Sequence, residues 1–245
     1  MTTLSALPIA LLRKLLHYDT CTVSNAIERL GGRLRNEGAI SGKTLHCMFP
    51  NLPPTLGYAV TGKMRSTTTP VGGRAYHENM NWWRYLASIP EPRVMVVQDA
   101  DDRPGAGALV GELHASIGLA LRCIGYVTNG AVRDLPAVKR LGFQLFAGNV
   151  AVSHMYAHIS EYGEPVEIGG LKIAPGELIQ GDQHGVHLIP FSIAAGIPAM
   201  AEEILKEEEE IKSLCRSPGF SLRRLEEKLQ EVPGDGIEIP LNGRQ

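Results

Sequence analysis

Val94-Met95-Val96-Val97 is an apolar run without alternation, and it narrows what this chain can build more than any other segment. A strand of that kind is buried on both faces, the condition of a parallel strand covered by helices. The residues after it complete a strand-helix-strand unit. The run ends at Gln98-Asp99, and a loop rich in Asp and Gly extends from Asp99 to Gly111 with Pro104 inside it. Apolar residues Leu113, Ile117, Ala120, Leu121 and Ile124 then recur at helical spacing, predicting a helix of about three turns that Gly125 stops. Tyr126-Val127-Thr128 reads as the next strand, Asn129-Gly130 as a turn, and Leu135 to Leu141 as a short helix closed by Gly142.

This unit concentrates polar chemistry at two points. Gly111-Glu112-Leu113-His114 opens the first helix, and Arg133-Asp134 follows Glu112 after twenty intervening residues, just past a strand end. Loops that follow parallel strands emerge on one edge of the sheet, so both points face one crevice. The first amides of a helix have no intrahelical acceptor and sit at the positive end of the dipole, where a carboxylate or oxyanion is stabilised. Arg133 adds a planar fork suited to a carboxylate. Asp134 is a hard oxygen ligand for a magnesium-like ion, and Glu112 can hold one of the waters that such an ion keeps. Against this stands a plainer account, in which an Arg-Asp pair is a solvated turn or a helix cap.

Gly111-Glu112, the twenty-residue gap, Arg133-Asp134, Pro175-Gly176-Glu177 and the run Gly181 to Pro190 resemble the 4-hydroxy-4-methyl-2-oxoglutarate aldolase and RraA-like family. Tyr18-Asp19-Thr20 with Val23 to Ala26, and Gly57 to Gly62, are similar to that family's N-terminal helix start and first core strand, so the resemblance spans roughly residues 10 to 215. It implies an α/β/β swivelling fold with a central βαβ core and a C-terminal β layer plus helix. It also implies a divalent-metal-dependent (Mg2+ or Mn2+) class II pyruvate aldolase that also decarboxylates oxaloacetate, assembled as a homotrimer or homohexamer. By the same resemblance, Arg133 binds the substrate carboxylate and Asp134 ligates the metal. Glu112 acts through a water, the amides of Leu113 and His114 face the enolate, and Glu208 of a neighbouring copy completes the water shell. Ala137 departs from the aldolases that carry an acid three residues after the motif Asp, a departure shared with members known as inhibitors of ribonuclease E. A regulatory binding protein is therefore the alternative function.

Cleavage beside a 2-oxo acid leaves an enolate, which a chelated cation stabilises as a Lewis acid. A class I route needs a buried lysine for a Schiff base. Lys63, in the apolar stretch Val60 to Met64, is the lysine placed for it. Methyl transfer from S-adenosylmethionine would need a Gly-rich loop and nearby acid that are missing. His154 and His158, four apart with Glu161 beyond, read as a helix face, more plausibly of surface or interface type than metal-binding. His184 and His187 flank a strand entry and point outward, and Asn81 to Tyr85 is an aromatic cluster for a subunit interface or pocket rim.

With 44% hydrophobic residues, 20% charged and a formal net charge of −2, the 245-residue chain suits one core and gives no electrostatic reason to bind nucleic acid. Cys21, Cys47, Cys123 and Cys215 are widely separated and read as buried thiols of a reducing compartment. No apolar run of membrane-spanning length and no leader pattern is present, so a cytoplasmic protein without a membrane partner is expected. Residues 1–220 read as a single domain and 221–245 as a C-terminal extension made of a short helix and a flexible end at Pro233 to Gly236. Between Ile9–Leu16, an N-terminal helix, and the core lies a loop-rich excursion from Gly31 to Asn51. Glu164 to Gly170 with Leu171 to Ile173 reads as a hairpin, joined by Glu177 to Gln180 and Val186 to Ile189 in a compact β layer. Pro198 to Cys215 is a charged helix, and its acids Glu207 to Glu210 form a solvated face unless one reaches another copy.

Overall fold

A computed structural model describes residues 6–33, 37–41, 44–70 and 80–231. In chain order its elements are α1 (Ile9–Leu15), α2 (Thr20–Arg29), β1 (Ala39–Ser41), β2 (His46–Cys47), β3 (Thr55–Arg65), α3 (Met80–Ser88), β4 (Arg93–Asp99), β5 (Ala108–Val110), α4 (Glu112–Ala120), β6 (Cys123–Val132), α5 (Leu135–Arg140) and β7 (Gln144–Val150). Next come β8 (His158–Tyr162), β9 (Val166–Ile168), β10 (Leu171–Ile173), β11 (Leu178–Asp182), β12 (Gly185–Ile189), α6 (Ile197–Arg216) and α7 (Leu222–Glu231). The extension's Pro233 to Gly236 lies outside the described residues.

β3, β4, β6 and β7 form the parallel centre of a ten-stranded sheet, ordered β1-β12-β11-β3-β4-β6-β7-β2, with β5 on β6 and β8 on β3. Alternation along these strands divides the core in two. Tyr58, Val60, Met95, Val97, Tyr126, Leu145 and Ala147 join the helices in one apolar cluster. Ala59, Val94, Val96, Val127 and Phe146 join Val166, Ile168, Leu171 and Ile173 of the β9–β10 hairpin in the other. Helices, large sheet and small hairpin are thus the three layers of an α/β/β fold, and the Val94–Val97 run is apolar throughout because both of its faces are covered.

Several local expectations are corrected. The helix after Gly111 is α4 alone, ending at Ala120, and Ile124 already belongs to β6. Asn129-Gly130 is no turn but an irregularity inside β6. The Asn129 side chain accepts from Asp99 N (2.7 Å) and donates to Asp99 O (3.0 Å), so it replaces ladder bonds where the strand bulges. A Cβ on Gly130 would lie 2.8 Å from the Asp99 side chain, so the glycine serves close approach. The Asp99–Gly111 loop contains β5, and β11 and β12 join the main sheet, leaving β9 and β10 as the separate layer. His154 lies in a loop and His158 opens β8, because antiparallel pairing to β3 prevails over the helical spacing. Of the cysteines only Cys123 is buried; Cys21 and Cys215 are exposed and Cys47 is intermediate. Among the described residues no helix is long and apolar enough to cross a membrane.

His187 also corrects its outward reading, since it is 2% exposed. Its Nδ1 lies 3.1 Å from Arg33 Nη2 and its Nε2 lies 2.9 Å from Gln180 Oε1. Arginine can only donate, so Nδ1 accepts and Nε2 carries the proton that it donates to Gln180. Gln180 Nε2 donates in turn to Tyr18 O at 3.0 Å, tying the start of α2 to the β11–β12 pair. Burial, then the charge of Arg33, pushes the imidazole pKa down to about 3. The unfolded chain therefore binds a proton near pH 6.5 that the folded chain refuses, and folding stability falls with pH from that point down to about 3. Between pH 7 and pH 5, above most carboxylate titration, this amounts to roughly 2 kcal/mol. Denaturant titrations at both pH values should show the loss in the native chain, and His187→Gln should flatten it.

Candidate active site

Gly111 is the N-cap of α4 but has no side chain with which to cap it. The first bond of the helix runs from Ala115 N to Gly111 O at 3.0 Å, so the amides of Glu112, Leu113 and His114 have no acceptor within their own helix. The cap comes from elsewhere. Asp134 Oδ2 accepts from Glu112 N at 3.1 Å, across 22 residues of sequence.

Asp134 stands at the N-cap of α5 yet makes no side-chain cap bond to that helix; the helix start that it meets is that of α4. Its backbone is left-handed (φ 55°, ψ 33°), a region that a non-glycine residue occupies at a cost of order 1 kcal/mol. That conformation turns the carboxylate back toward α4. Arg133 N donates to Val110 O (3.1 Å), and Ala151 N to Val132 O (3.0 Å), so β5 and the end of β7 clamp the strand end where the pair emerges. Arg133 Nε lies 3.4 Å from Asp134 Oδ2. The two loops do share one edge, as parallel topology requires.

A Cβ at Gly111 would fall 2.3 Å from Asp134 Oδ2 and 3.0 Å from Arg133 Cγ. The cradle therefore exists because this residue has no side chain. Glu112 and Leu113 are exposed, whereas His114 is buried with its imidazole against Trp83, ring centroids 5.8 Å apart.

The donor set suits a hard divalent cation. The Asp134 side chain is 40% exposed and can meet a hydrated ion, and the residue whose amide it accepts from on α4 is Glu112. Among the described residues no group of three or more His, Cys, Asp or Glu side chains could enclose a metal, so an ion here would keep waters, as Mg2+ does. Glu208 does not join this pair within the chain; it is bonded to Lys212 at 2.8 Å on α6. Its neighbours are also paired, Glu207 with Arg29 (2.6 Å), Glu209 with Arg216 and Glu210 with Lys228 (2.7 Å). Ala137, one turn into α5, donates its amide to Asp134 O at 3.0 Å and supplies no acid.

The other sequence candidates fall away from this edge. Lys63 is paired with Glu161 at 2.7 Å and partly exposed, which is not the desolvated amine that Schiff-base chemistry needs. His184 Nδ1 lies 3.1 Å from Asp182 Oδ1, a carboxylate that also takes Thr20 N and Oγ1 and so caps α2. Burial raises the Asp182 pKa, and the bonds from Thr20 and His184 outweigh it to give a net lowering. Trp82 is core, while Trp83 and Tyr85 are half-buried. Sequence reasoning missed two features: the capping of α4 by Asp134 and the tilted ring contact of Trp83 with His114. A glycine set directly before the helix acid was the available signal for the first; nothing signalled the second.

The family model RraA-like, described as Aldolase/RraA, matches residues 20–188. A Halalkalibacterium halodurans protein named "Putative 4-hydroxy-4-methyl-2-oxoglutarate aldolase" is 28% identical over 123 residues, covering 50% of this chain and 59% of that one. Protein DlpA of Legionella pneumophila is 25% identical over 93% of this chain but only 35% of its own length. The chain thus matches less than two thirds of the length of either of these curated relatives. Among solved structures, a Pseudomonas syringae pv. tomato protein superposes with TM-score 0.69 at 22% identity, covering 94% of this chain and 97% of that one. RraAS2 of Streptomyces coelicolor, described as an unusual member of the RNase ES inhibitor RraA family, superposes with TM-score 0.65 at 21% identity, covering 85% and 98%. At these identities the likeness is one of fold.

Proposed function

As the chain belongs to the RraA-like family, we propose that it is a divalent-metal-dependent lyase, cleaving 4-hydroxy-2-oxo acids to pyruvate and decarboxylating oxaloacetate-like acids through the same enolate. The observation that carries this is Asp134, whose left-handed backbone turns its carboxylate off its own helix and onto the N-terminus of α4 beside Arg133. Mg2+ or Mn2+, held by Asp134 and, through water, by Glu112 and by Glu208 of a neighbouring copy, would supply Lewis-acid stabilisation of the developing negative charge.

The chain's own residues do the rest. Arg133 binds the C1 carboxylate with its planar fork and fixes the 2-oxo group against the first turn of α4. The 4-hydroxyl loses its proton, the C3–C4 bond breaks, and its electron pair moves into C2–C3 as the carbonyl oxygen becomes an enolate oxygen. The amides of Leu113 and His114, at the positive end of the helix dipole, face that charge as it grows. Glu112, exposed at the same turn, is the group that takes the hydroxyl proton by way of water, and protonation of C3 then yields pyruvate. In oxaloacetate the leaving group is carbon dioxide and the enolate is the same.

Ala137 in place of an acid, and the pairing of Glu207 to Glu210 within one chain, favour the second reading, a regulatory binding protein whose partner meets its surface. Pyruvate release separates the two. A panel of 4-hydroxy-2-oxo acids and oxaloacetate should yield pyruvate with Mg2+ or Mn2+ and none after chelation; turnover that survives chelation overturns the class II assignment, and no turnover at all favours the binding protein. Glu208→Gln should lower the rate about tenfold if that acid serves a neighbour's site, as loss of a water-mediated contact does. An unchanged rate leaves Glu208 to Lys212. A tenfold loss should go with a homotrimer or homohexamer in light scattering.

A further inference from the structure

Trp82 and Trp83 are consecutive on α3 and so point about 100° apart around its axis. Trp82 is 3% exposed and packs where a Cβ on Gly62 would come within 2.9 Å of its indole. Its ring also meets Tyr85 (5.9 Å) and Tyr162 (6.3 Å). These contacts fasten α3 to β3 and β8, and they fix the direction of its neighbour. Trp83 faces α4, half-buried, with its indole 5.8 Å from the His114 imidazole and the planes 34° apart.

His114 is the third residue of α4 and 5% exposed. Helical side chains lean toward the N-terminus, so this imidazole lies beside the turn whose amides meet the anion. Gly111 offers no cap, and the capping contact present comes from Asp134, the same carboxylate that a cation would claim. A nine-residue helix has little stability of its own. With one carboxylate shared between Glu112 N and a cation, a second hold on the turn is needed, because donors that reorganise during the reaction stabilise charge poorly.

On the lyase reading, we propose that Trp83 is a positioning residue, its indole against His114 holding the first turn of α4 in place for the enolate when Asp134 is engaged by the cation. The aromatic face supplies that hold, so phenylalanine should substitute and alanine should not.

The test uses the full chain with Mg2+ and the variants Trp83→Phe and Trp83→Ala. It measures steady-state pyruvate release, calorimetric affinity for oxalate as a planar stand-in for the enolate, and hydrogen exchange at the Ala115 amide, with thermal melting to verify folding. Trp83→Ala should lower kcat about tenfold with KM moved less than threefold, weaken oxalate to a similar degree and speed Ala115 exchange. Trp83→Phe should restore all three to within about threefold. Equal damage in both variants, or unchanged kcat and Ala115 exchange in Trp83→Ala, overturns the proposal. If the native chain neither releases pyruvate nor binds oxalate, the lyase reading fails by itself. Exchange at Ala115 then still decides: faster exchange in Trp83→Ala upholds Trp83 as the anchor of the turn, and unchanged exchange removes it.

Discussion

Arg133→Ala and Asp134→Ala should each lower kcat/KM for pyruvate release by roughly 10³-fold, about 4 kcal/mol of transition-state stabilisation. The two losses should divide differently. Arg133 carries the fork for the substrate carboxylate, present in ground and transition states alike, so its removal should raise KM as well as lower kcat. Asp134 does two things at once: it supplies the hard ligand and it accepts from Glu112 N at 3.1 Å. Asp134→Asn separates them, because an amide oxygen can still accept from Glu112 while the charge that holds a cation is gone. That variant should fold normally, with a melting temperature within about 3 °C of the native chain, since a half-exposed hydrogen bond is worth only about 1 kcal/mol. It should nonetheless be as inactive as Asp134→Ala, and extra Mg2+ should not rescue it. Activity within tenfold of native in Asp134→Asn would remove Asp134 from the cation and leave it a helix cap.

The double role of Asp134 also explains how far the site could be read from sequence. That Glu112 and Arg133-Asp134 share an edge follows from strand-helix-strand order, because β4, β6 and β7 run parallel and their C-terminal ends project together. The apolar run Val94–Val97 likewise announced a strand covered on both sides, and it is covered by helices on one face and by β9–β10 on the other. What failed was local punctuation. Asn129-Gly130 has the composition of a turn, but β6 continues through it because Asn129 bonds both sides of Asp99 on the neighbouring strand, a contact with no local signature. His154 and His158 have helical spacing, but β8 has its partner in β3, nearly a hundred residues earlier. His187 looked like a strand-entry residue facing water and is instead enclosed by Arg33 and Gln180, whose approach depends on how α2 packs. In each case long-range pairing prevailed over local pattern. The same physics hides Trp83 from a sequence reading, since its meeting with His114 depends on the packing of α3 against the sheet.

Gly111→Ala should cost about 10²-fold in kcat/KM while leaving the fold intact. Gly111 has φ −135°, which any residue adopts, so backbone strain does not enter and alanine pays nothing in conformation. The damage is one of volume. The new methyl carbon would lie 2.3 Å from Asp134 Oδ2 and 3.0 Å from Arg133 Cγ, and neither neighbour can stay. Asp134 is held in its left-handed backbone between β6 and α5, so its carboxylate must rotate off Glu112 N, and Arg133 must move with it. A displacement of about 1 Å suffices to lose two orders of magnitude in an aligned site. Alanine is a poorer N-cap than glycine and the bond from Glu112 N is lost as well, together a cost on the order of 1 kcal/mol. The melting temperature should therefore move by less than about 4 °C as activity collapses. Gly142→Ala is the control: a Cβ there meets nothing within 4 Å, but φ is 72°, so that variant should lose stability and keep its rate. If Gly111→Ala instead retains native turnover, the carboxylate does not have to stand where the structure puts it, and the pairing of Asp134 with the start of α4 has no part in the chemistry.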